Sequence, residues 1–452
     1  MLKKENALEL FDIYPKVVPV GKPVSFTLQA LDPDIFFGTV THLDVIAVNG
    51  ATDSNRTYFA QNIATTPLEP PMHGFRFTLT LPTEDEYQIH LVFEETGIKR
   101  PKAVLTVAAV EDDLLYRSPL VGDFHAHTYF SDGTEGPAFV AARYRRSGYD
   151  FLAVTDHRRR APSLRAIAAY EGLNLPFRLY PGEEVHPNKT YVHIVNFASD
   201  KSANAFALRE KDAATWRNTD PTPEYEEELR RVMAELPEPL PHEDMRREIA
   251  SAVIVARIIR EGGGLAILAH PHWQYPGHNV PDAMYRYFFE HHIFDALELQ
   301  GGLFWYENQT QNALWEELRA QGHQLPVVGS SDEHGVLPKH FKADIEYFTE
   351  ERTLLLAKEN TREGIIEAVK NLYSVAMQKD EGSNPVLCGG NYRLRRYMVF
   401  LLRNYFPIRD EVYFEQGRLM HAFAAGTPGA KEKLLRCVAD SADFESKYFY
   451  RP

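Results

Sequence analysis

Asp150-Phe151-Leu152-Ala153-Val154-Thr155-Asp156-His157 is an apolar run opened by an acid and closed by an acid and an imidazole. Such a run reads as a strand buried on both faces of an α/β sheet. Its polar end reads as the exit into a loop, where the active sites of these folds gather. The arrangement recurs outward from there. Gly264-Leu265-Ala266-Ile267-Leu268-Ala269 runs into His270-Pro271-His272, and Pro326-Val327-Val328-Gly329-Ser330 runs into Ser331-Asp332-Glu333-His334. Gly122-Asp123-Phe124-His125-Ala126-His127, Gly182-Glu183-Glu184-Val185-His186 and Val192-His193 complete the set, which holds eight of the 18 histidines. Imidazole and carboxylate are the ligands that borderline and hard divalent cations prefer. Packing alone does not explain their return at one strand end after another.

The bulk composition fits that reading. At 452 residues the chain exceeds one ordinary core, so two or three domains are expected. A hydrophobic share of 44% with 25% charged residues is that of a soluble globular protein. The net charge of −14 argues against a nucleic-acid polymer as partner, since that needs a basic stripe. A small anionic substrate remains compatible, because bound cations create their own positive field. The two cysteines, Cys388 and Cys437, supply neither a disulfide framework nor a thiolate metal site. No apolar run has the length of a membrane span and none follows Met1. The expected location is cytoplasmic, or secreted or periplasmic if a leader peptide was removed.

Three regions are expected. Residues 1–115 alternate as strands (Val24–Ala30, Phe75–Leu81, Tyr87–Phe93, Ala103–Val107), broken by Gly21-Lys22-Pro23, Asn49-Gly50 and Pro67–Pro71, which predicts an all-β, immunoglobulin-like sandwich. Residues 116–377 alternate apolar runs with helical patterns, as in an α/β barrel or layered sheet. An insertion at about 199–247, with an acidic helix starting in Pro221–Glu228 and a proline-rich stretch from Pro237 to Pro241, is either a lid or a solvated surface helix. Residues 378–452 read as a helical extension without a motif.

On a strand, residues i and i+2 face one way. His125 with His127, Glu184 with His186, and Asp332 with His334 therefore project as pairs, and His270 with His272 does so unless Pro271 ends the strand. Glu183 then points away and is structural, while Glu184 is the bridging candidate, since a carboxylate can span two ions and a neutral imidazole cannot. Asp156 reads as a supporting partner of the ligands or a helix cap. With about three protein ligands per catalytic ion, His125, His127, His157, Glu184, His193, His270, Asp332 and His334 suffice for two or three. The expected ions are Zn, Mn or Fe. Such a centre acidifies a bound water for attack on phosphorus or a carbonyl carbon.

The order His-x-His, Ser-Asp-Gly (131–133), Thr-Asp-His, Gly-x-Glu, His, Ala-His-Pro, Ser-Asp-x-His resembles the polymerase and histidinol phosphatase (PHP) family. The likeness spans 116–377. It implies a distorted (β/α)7 barrel with two or three metals at the strand carboxyl ends, and phosphoester hydrolysis as the commonest activity. Carried over by position, one ion takes His125, His127, Glu184 and Asp332; a second shares Glu184 and adds His193 and His270; a third takes His157, His334 and Asp132 or a water. Some relatives carry histidine where Asp132 stands, which leaves the third site open. The β-domain in front lies outside the family's core pattern.

The expected function is therefore a metal-dependent phosphoesterase of a small phosphomonoester or nucleotide. The alternatives are a metallohydrolase of carboxyl or carbamate esters on the same ions, and a non-catalytic binding module. Candidate catalytic residues are His272 and His186 as proton donors and Arg158, from Arg158-Arg159-Arg160, as a phosphate clamp. Each is equally readable as a spectator. Trp273 and Trp305 either wall the pocket or pack the core, Lys339 and His340 read as loop, and Glu298 is a weaker site candidate. Oligomeric state is not readable from the chain.

Overall fold

The computed structural model describes residues 10–32, 40–48, 58–61, 64–69, 72–95, 98–187, 190–209, 220–274, 280–335, 351–379, 384–441 and 444–451. The chain divides into two compact units: Met1–Arg117 with Arg396–Val412 and Arg436–Pro452, and Ser118–Arg395 with Tyr413–Leu435. The turns expected at Asn49-Gly50 and Pro70-Pro71 lie outside the described residues. No helix among the described residues is long and apolar enough to cross a membrane.

The first unit contains β1 (Phe11–Tyr14), β2 (Val17–Pro19), β3 (Pro23–Ala30), β4 (Val40–Ala47), β5 (Tyr58–Gln61), β6 (Thr66–Pro67), β7 (Gly74–Thr80), β8 (Asp85–Glu95) and β9 (Ile98–Val110). They form two sheets, β1-β3-β7-β6 and β2-β9-β8-β4-β5. The period-2 pattern of β7 buries Phe75, Phe77 and Leu79 and exposes Arg76 and Thr78. Phe77 lies in register with Phe26 of β3, rings 5.6 Å apart. These side chains meet Val45, Ile89 and Val107 of the other sheet in one core.

The end of the chain closes this unit. Lys16 N–H donates to the Tyr448 carbonyl at 2.7 Å and Tyr450 N–H to the Val17 carbonyl at 2.9 Å. Asp12 accepts from Lys447 Nζ at 2.6 Å and Tyr448 Oη at 3.0 Å, and the fully buried Lys16 ammonium lies 3.7 Å from its other oxygen.

The second unit has two further sheets. One is β12-β11-β10-β18-β19-β20, built from β10 (Ser118–Asp123), β11 (Phe151–Ala153), β12 (Arg178–Tyr180), β18 (Glu351–Ala357), β19 (Ser374–Gln378) and β20 (Val386–Cys388). The other is β13-β14-β15-β16-β17, built from β13 (Gly182–Val185), β14 (Ile194–Phe197), β15 (Leu265–Leu268), β16 (Ala296–Gln300) and β17 (Val327–Gly329). The fold class is mixed α/β, but among the described residues hydrogen bonding closes no barrel. The departure has a local cause. β13–β14 is an antiparallel hairpin continued antiparallel by β15, and β18 returns antiparallel along β10, so parallel pairing survives only in β10–β11–β12 and β15–β16–β17. Both sheets nonetheless face one core, with Phe124 edge-on to Phe151 at 5.2 Å and to Phe197 at 4.7 Å. Single bridges beyond the strands, Ala126 to Glu333 and His157 to Glu184, tie their carboxyl ends together.

The described helix of the insertion packs against the fold. Helix Pro223–Glu235 is capped by Thr222, whose hydroxyl accepts from Tyr225 N–H at 3.1 Å. It buries Tyr225, Leu229 and Val232 in the core shared with helix Arg246–Glu261. Its acidic face meets that helix through Glu226–Arg247 at 2.8 Å and Glu228–Arg257. The tail departs from a separate helical extension: β20 joins β19, and the residues beyond it are divided between the units.

Asp12→Ala leaves Lys16 buried without this carboxylate, and breaking a buried pair costs about 3–5 kcal/mol. Urea denaturation of this variant should show the first transition at lower denaturant, and adding Lys16→Met should restore part of the loss. An unchanged midpoint for Asp12→Ala would refute the importance of the pair.

Candidate metal centre

The strand ends of the second unit deliver their side chains to one volume. His125 and His127 lie just past β10, fully buried, with Nε2 atoms 3.1 Å apart. The bridge at Ala126 keeps the backbone extended, so the i,i+2 projection holds beyond the sheet. Asp123 anchors this segment and its neighbour, accepting from His125 N–H at 2.9 Å and Ser331 N–H at 3.1 Å. Burial pushes its carboxyl up to about 7 against these hydrogen bonds.

Glu184 lies at the centre. Its Oε1 is 2.7 Å from His193 Nδ1, 3.3 Å from His270 Nε2 and 3.6 Å from His125 Nε2. Its Oε2 is 3.6 Å from His127 Nε2 and in close contact with His157 Nδ1. Asp332 Oδ1 lies 2.9 Å from His127 Nε2 and 3.2 Å from His125 Nε2. Asp132 reaches His157 Nε2 and His334 Nε2, each at 3.3 Å. Four groupings of ligand atoms result, each within 4.8 Å: His127, Asp132, His157 and His334; His125, His270 and Asp332; His125, His127 and Glu184; His157, Glu184 and His193. All nine sequence-selected ligands are thus brought together. Glu183, on the other face of β13, accepts instead from Asn196 Nδ2 at 2.8 Å, Ser202 Oγ at 2.7 Å and Ala203 N–H at 2.6 Å. Asp156 accepts from Thr128 N–H at 3.0 Å and Ser131 Oγ at 2.7 Å, which fixes the turn that presents Asp132.

This donor set fits divalent cations. Glu184 Oε2, Asp332 Oδ1, Asp132 Oδ1 and His193 Nδ1 are buried and crowded by charged or polar neighbours, yet none makes an oriented hydrogen bond. Buried groups left so are costly unless something else satisfies them. The electrostatics of the set divide. Burial raises the Asp332 and Glu184 carboxyls, but the surrounding imidazoles outweigh it and hold both below the usual carboxylate range. Burial and the neighbouring His334 and His157 push His127 down to about 4, and burial does the same to His193. Ionised carboxylates and neutral imidazoles are the forms that bind metal, so these groups hold the coordinating form, whereas Glu184, Asp332 and Asp132 outweigh burial at His125, His157, His270 and His334 and raise them, His157 to about 10 and His334 to about 9, so that an ion binding there displaces their protons. The backbone is bent to the purpose: His270, Asp332 and Arg158 have φ of +22°, +49° and +56°. Such conformations cost on the order of 1–3 kcal/mol each and persist where the surroundings impose them.

The candidate catalytic residues fare differently. His186 stacks on His193 with centroids 4.2 Å apart, and its Nε2 faces His157 Nδ1 at 2.9 Å. Arg158 is half-buried; its Nε donates to the His186 carbonyl at 3.0 Å, and its Nη2 lies 3.3 Å from His186 Nδ1. His272 is not brought to the ligand groups. The turn at His270 and Pro271 sends its ring against Tyr285, 5.4 Å away, and Asp282, 3.4 Å away. Arg160 is structural and binds the Ser199 and Asp200 carbonyls. Lys339 and His340 lie outside the described residues. Trp273 does wall the site, 5.7 Å from the His270 ring and 6.0 Å from His193, whereas Trp305 is 67% exposed and belongs to no core.

Glu298 was underweighted by the sequence. Fully buried on β16, it accepts from His270 N–H at 2.9 Å and lies 3.3 Å from His125 Nδ1. A lone acid in Asp295-Ala296-Leu297-Glu298-Leu299 carries no motif; its inward place on an apolar strand was the available signal.

No family model matches the chain, and no curated protein matches it. Solved structures similar to parts of it include the following three. A two-domain protein from Bacteroides vulgatus, described as containing a predicted PHP-like metal-dependent phosphoesterase, is 18% identical, with 63% of this chain and 71% of that one covered at a TM-score of 0.43. A candidate metal-dependent phosphoesterase from Bifidobacterium adolescentis is 22% identical, with 47% and 87% covered and a TM-score of 0.30. An amidohydrolase from Chromobacterium violaceum, with bound sulfate and no metal, is 19% identical over 47% and 87% at 0.31. In the order of its motifs, all of which meet around Glu184, the chain resembles the PHP family.

Proposed function

We propose that this protein is a metal-dependent phosphoesterase acting on a small phosphomonoester or nucleotide. The observation that carries the reading is the Glu184 carboxylate, buried among His125, His127, His157, His193 and His270. In this reading the two sheets of the first unit are an immunoglobulin-like sandwich, and those of the second are the halves of a distorted barrel. The regions 1–115, 116–377 and 378–452 are retained as sequence segments.

The ligand groupings fit two or three ions of Zn, Mn or Fe, with Glu184 shared, Asp332 beside His125, His127 and His270, and Asp132 beside His157 and His334. Bound there, such ions would polarise a phosphoryl oxygen and lower the pKa of a coordinated water. The protein's own groups do the rest. Arg158 places positive charge beside His157 and His186 for the anion to meet. Both ring nitrogens of His186 are engaged, by His157 and Arg158, so we assign it to positioning His157 rather than to proton donation. We assign His272 to the outer wall. Glu298 is assigned as the partner that keeps the proton of His125 on Nδ1 and turns Nε2 towards Asp332 and Glu184.

Chelation should abolish hydrolysis in a phosphomonoester panel, and zinc or manganese should restore it. His125→Ala should remove activity together with bound metal measured by elemental analysis. Activity surviving both changes would sink the proposal, and a neutral aryl ester turned over far faster than any phosphate would replace it with carboxyl-ester hydrolysis.

Glu298→Gln keeps the shape and loses the charge. Loss of such a partner typically weakens metal affinity about 10–100-fold. Competition against a chromophoric chelator should show a loss in that range, with Glu298→Asp intermediate. Wild-type affinity in Glu298→Gln would remove Glu298 from the metal centre.

A further inference from the structure

Three consecutive aromatic residues stand in solvent beside this centre: Phe304 is 63% exposed, Trp305 67% and Tyr306 42%. Exposing so much contiguous ring surface is unfavourable and marks binding sites. Their placement is fixed by the site itself. They follow the carboxyl end of β16 through Gly301 and Gly302. A Cβ on Gly301 would touch His270 at 3.5 Å, and one on Gly302 would collide with the Ser331 carbonyl beside Asp332. Asn308 clamps Gly301 through both its N–H and its carbonyl, each at 3.1 Å. The buried Glu307 carboxylate accepts from Phe304 N–H at 2.9 Å and Gln274 N–H at 2.7 Å, which ties the triplet to the loop of His270 and Trp273. Consecutive Cα atoms are about 3.8 Å apart, so Trp305 starts within about 11 Å of the Gly302 that abuts Asp332. That is the span of one nucleoside. The rings form an ordered surface: Phe304 and Tyr306 lie 5.5 Å apart and 9° from parallel, and Trp305 meets Tyr306 edge-on. Tyr129, 56% exposed and two residues past His127, adds a ring on another loop of the centre.

We propose that Phe304, Trp305 and Tyr306 form a ring-stacking subsite, and that the substrate is an ester whose organic part carries a planar ring, either a nucleobase or an aryl group. The inference rests on the phosphoesterase reading for the chemistry of the ester. The subsite itself rests on the rings.

The test is calorimetric binding to the full-length, metal-loaded protein, using phosphonates that cannot be hydrolysed. Phenylphosphonate is compared with cyclohexylphosphonate and methylphosphonate, and adenosine is titrated alone. Stacking on an aromatic side chain contributes roughly 5-fold to 100-fold in affinity. Phenylphosphonate should therefore bind about tenfold more tightly than methylphosphonate, with cyclohexylphosphonate well below phenylphosphonate. Trp305→Ala should bring the phenyl-to-methyl ratio close to one, and Trp305→Phe, which keeps a ring, should retain most of it. Tighter binding of adenosine than of phenylphosphonate's ring would select the nucleobase over the aryl group. Equal affinities for phenyl- and methylphosphonate, or an unchanged ratio in Trp305→Ala, would overturn the subsite. So would sedimentation in which Trp305→Ala splits a dimer while ring preference stays as in wild type, since the rings would then join two copies of the chain. Trp305-dependent binding of adenosine without binding of any phosphonate would keep the subsite and remove the phosphoesterase reading instead.

Discussion

A single carboxylate, that of Glu184, sits fully buried with five imidazoles around it. Taken alone it is among the least favourable placements a protein interior can hold, because an ionised acid out of water needs compensating charge and oriented donors. Much of the second unit follows from meeting that need. The β13–β14 hairpin sets Glu184 near His193, which directly precedes β14, the bridge from His157 to Glu184 joins the two sheets at that point, and β15 ends so that His270 can turn inward. The supporting acids repeat the logic one layer out. Asp123, Asp156 and Glu298 spend their oxygens on backbone N–H groups, hydroxyls or a ligand imidazole, and so fix the loops that carry the ligands.

The candidate ligand set was legible because it depends on short-range geometry. Two-residue alternation and the end of an apolar run are properties of a few neighbouring residues, and they placed His125, His127, Glu184 and Asp332 without reference to the rest of the chain. The same rule separated Glu184 from Glu183. The arrangement of the sheets was less legible. Whether β18 runs parallel or antiparallel to β10 is decided by partners more than two hundred residues apart, and the apolar run Leu354-Leu355-Leu356 is the same for either. His272 failed for a backbone reason: a proline and a positive φ broke the alternation that the pairing with His270 assumed. Glu298 was hard to weigh because its importance lies in two partners, His125 and His270, that are remote in sequence.

The centre and its surroundings also divide by chemistry. Inside, the groups brought together are nitrogen and oxygen donors. Trp273 borders them, and Glu307 links its loop, at Gln274, to the exposed rings at the start of helix Trp305–Ala320. A ligand lying along that line would meet hard charge at one end and flat polarisable surface at the other.

The joining of residues 12–17 to residues 447–450 has a consequence for how the protein comes into being. The hydrogen bond between Tyr448 and Asp12 spans 436 positions. During synthesis residues 12–17 leave the ribosome long before residues 447–450, which carry the partners for Asp12, Lys16 and Val17. A domain that waits for distant partners keeps strand surface uncovered until they are made. Strands made early in this segment are thus completed late, and until then their uncovered edges offer chaperones a target.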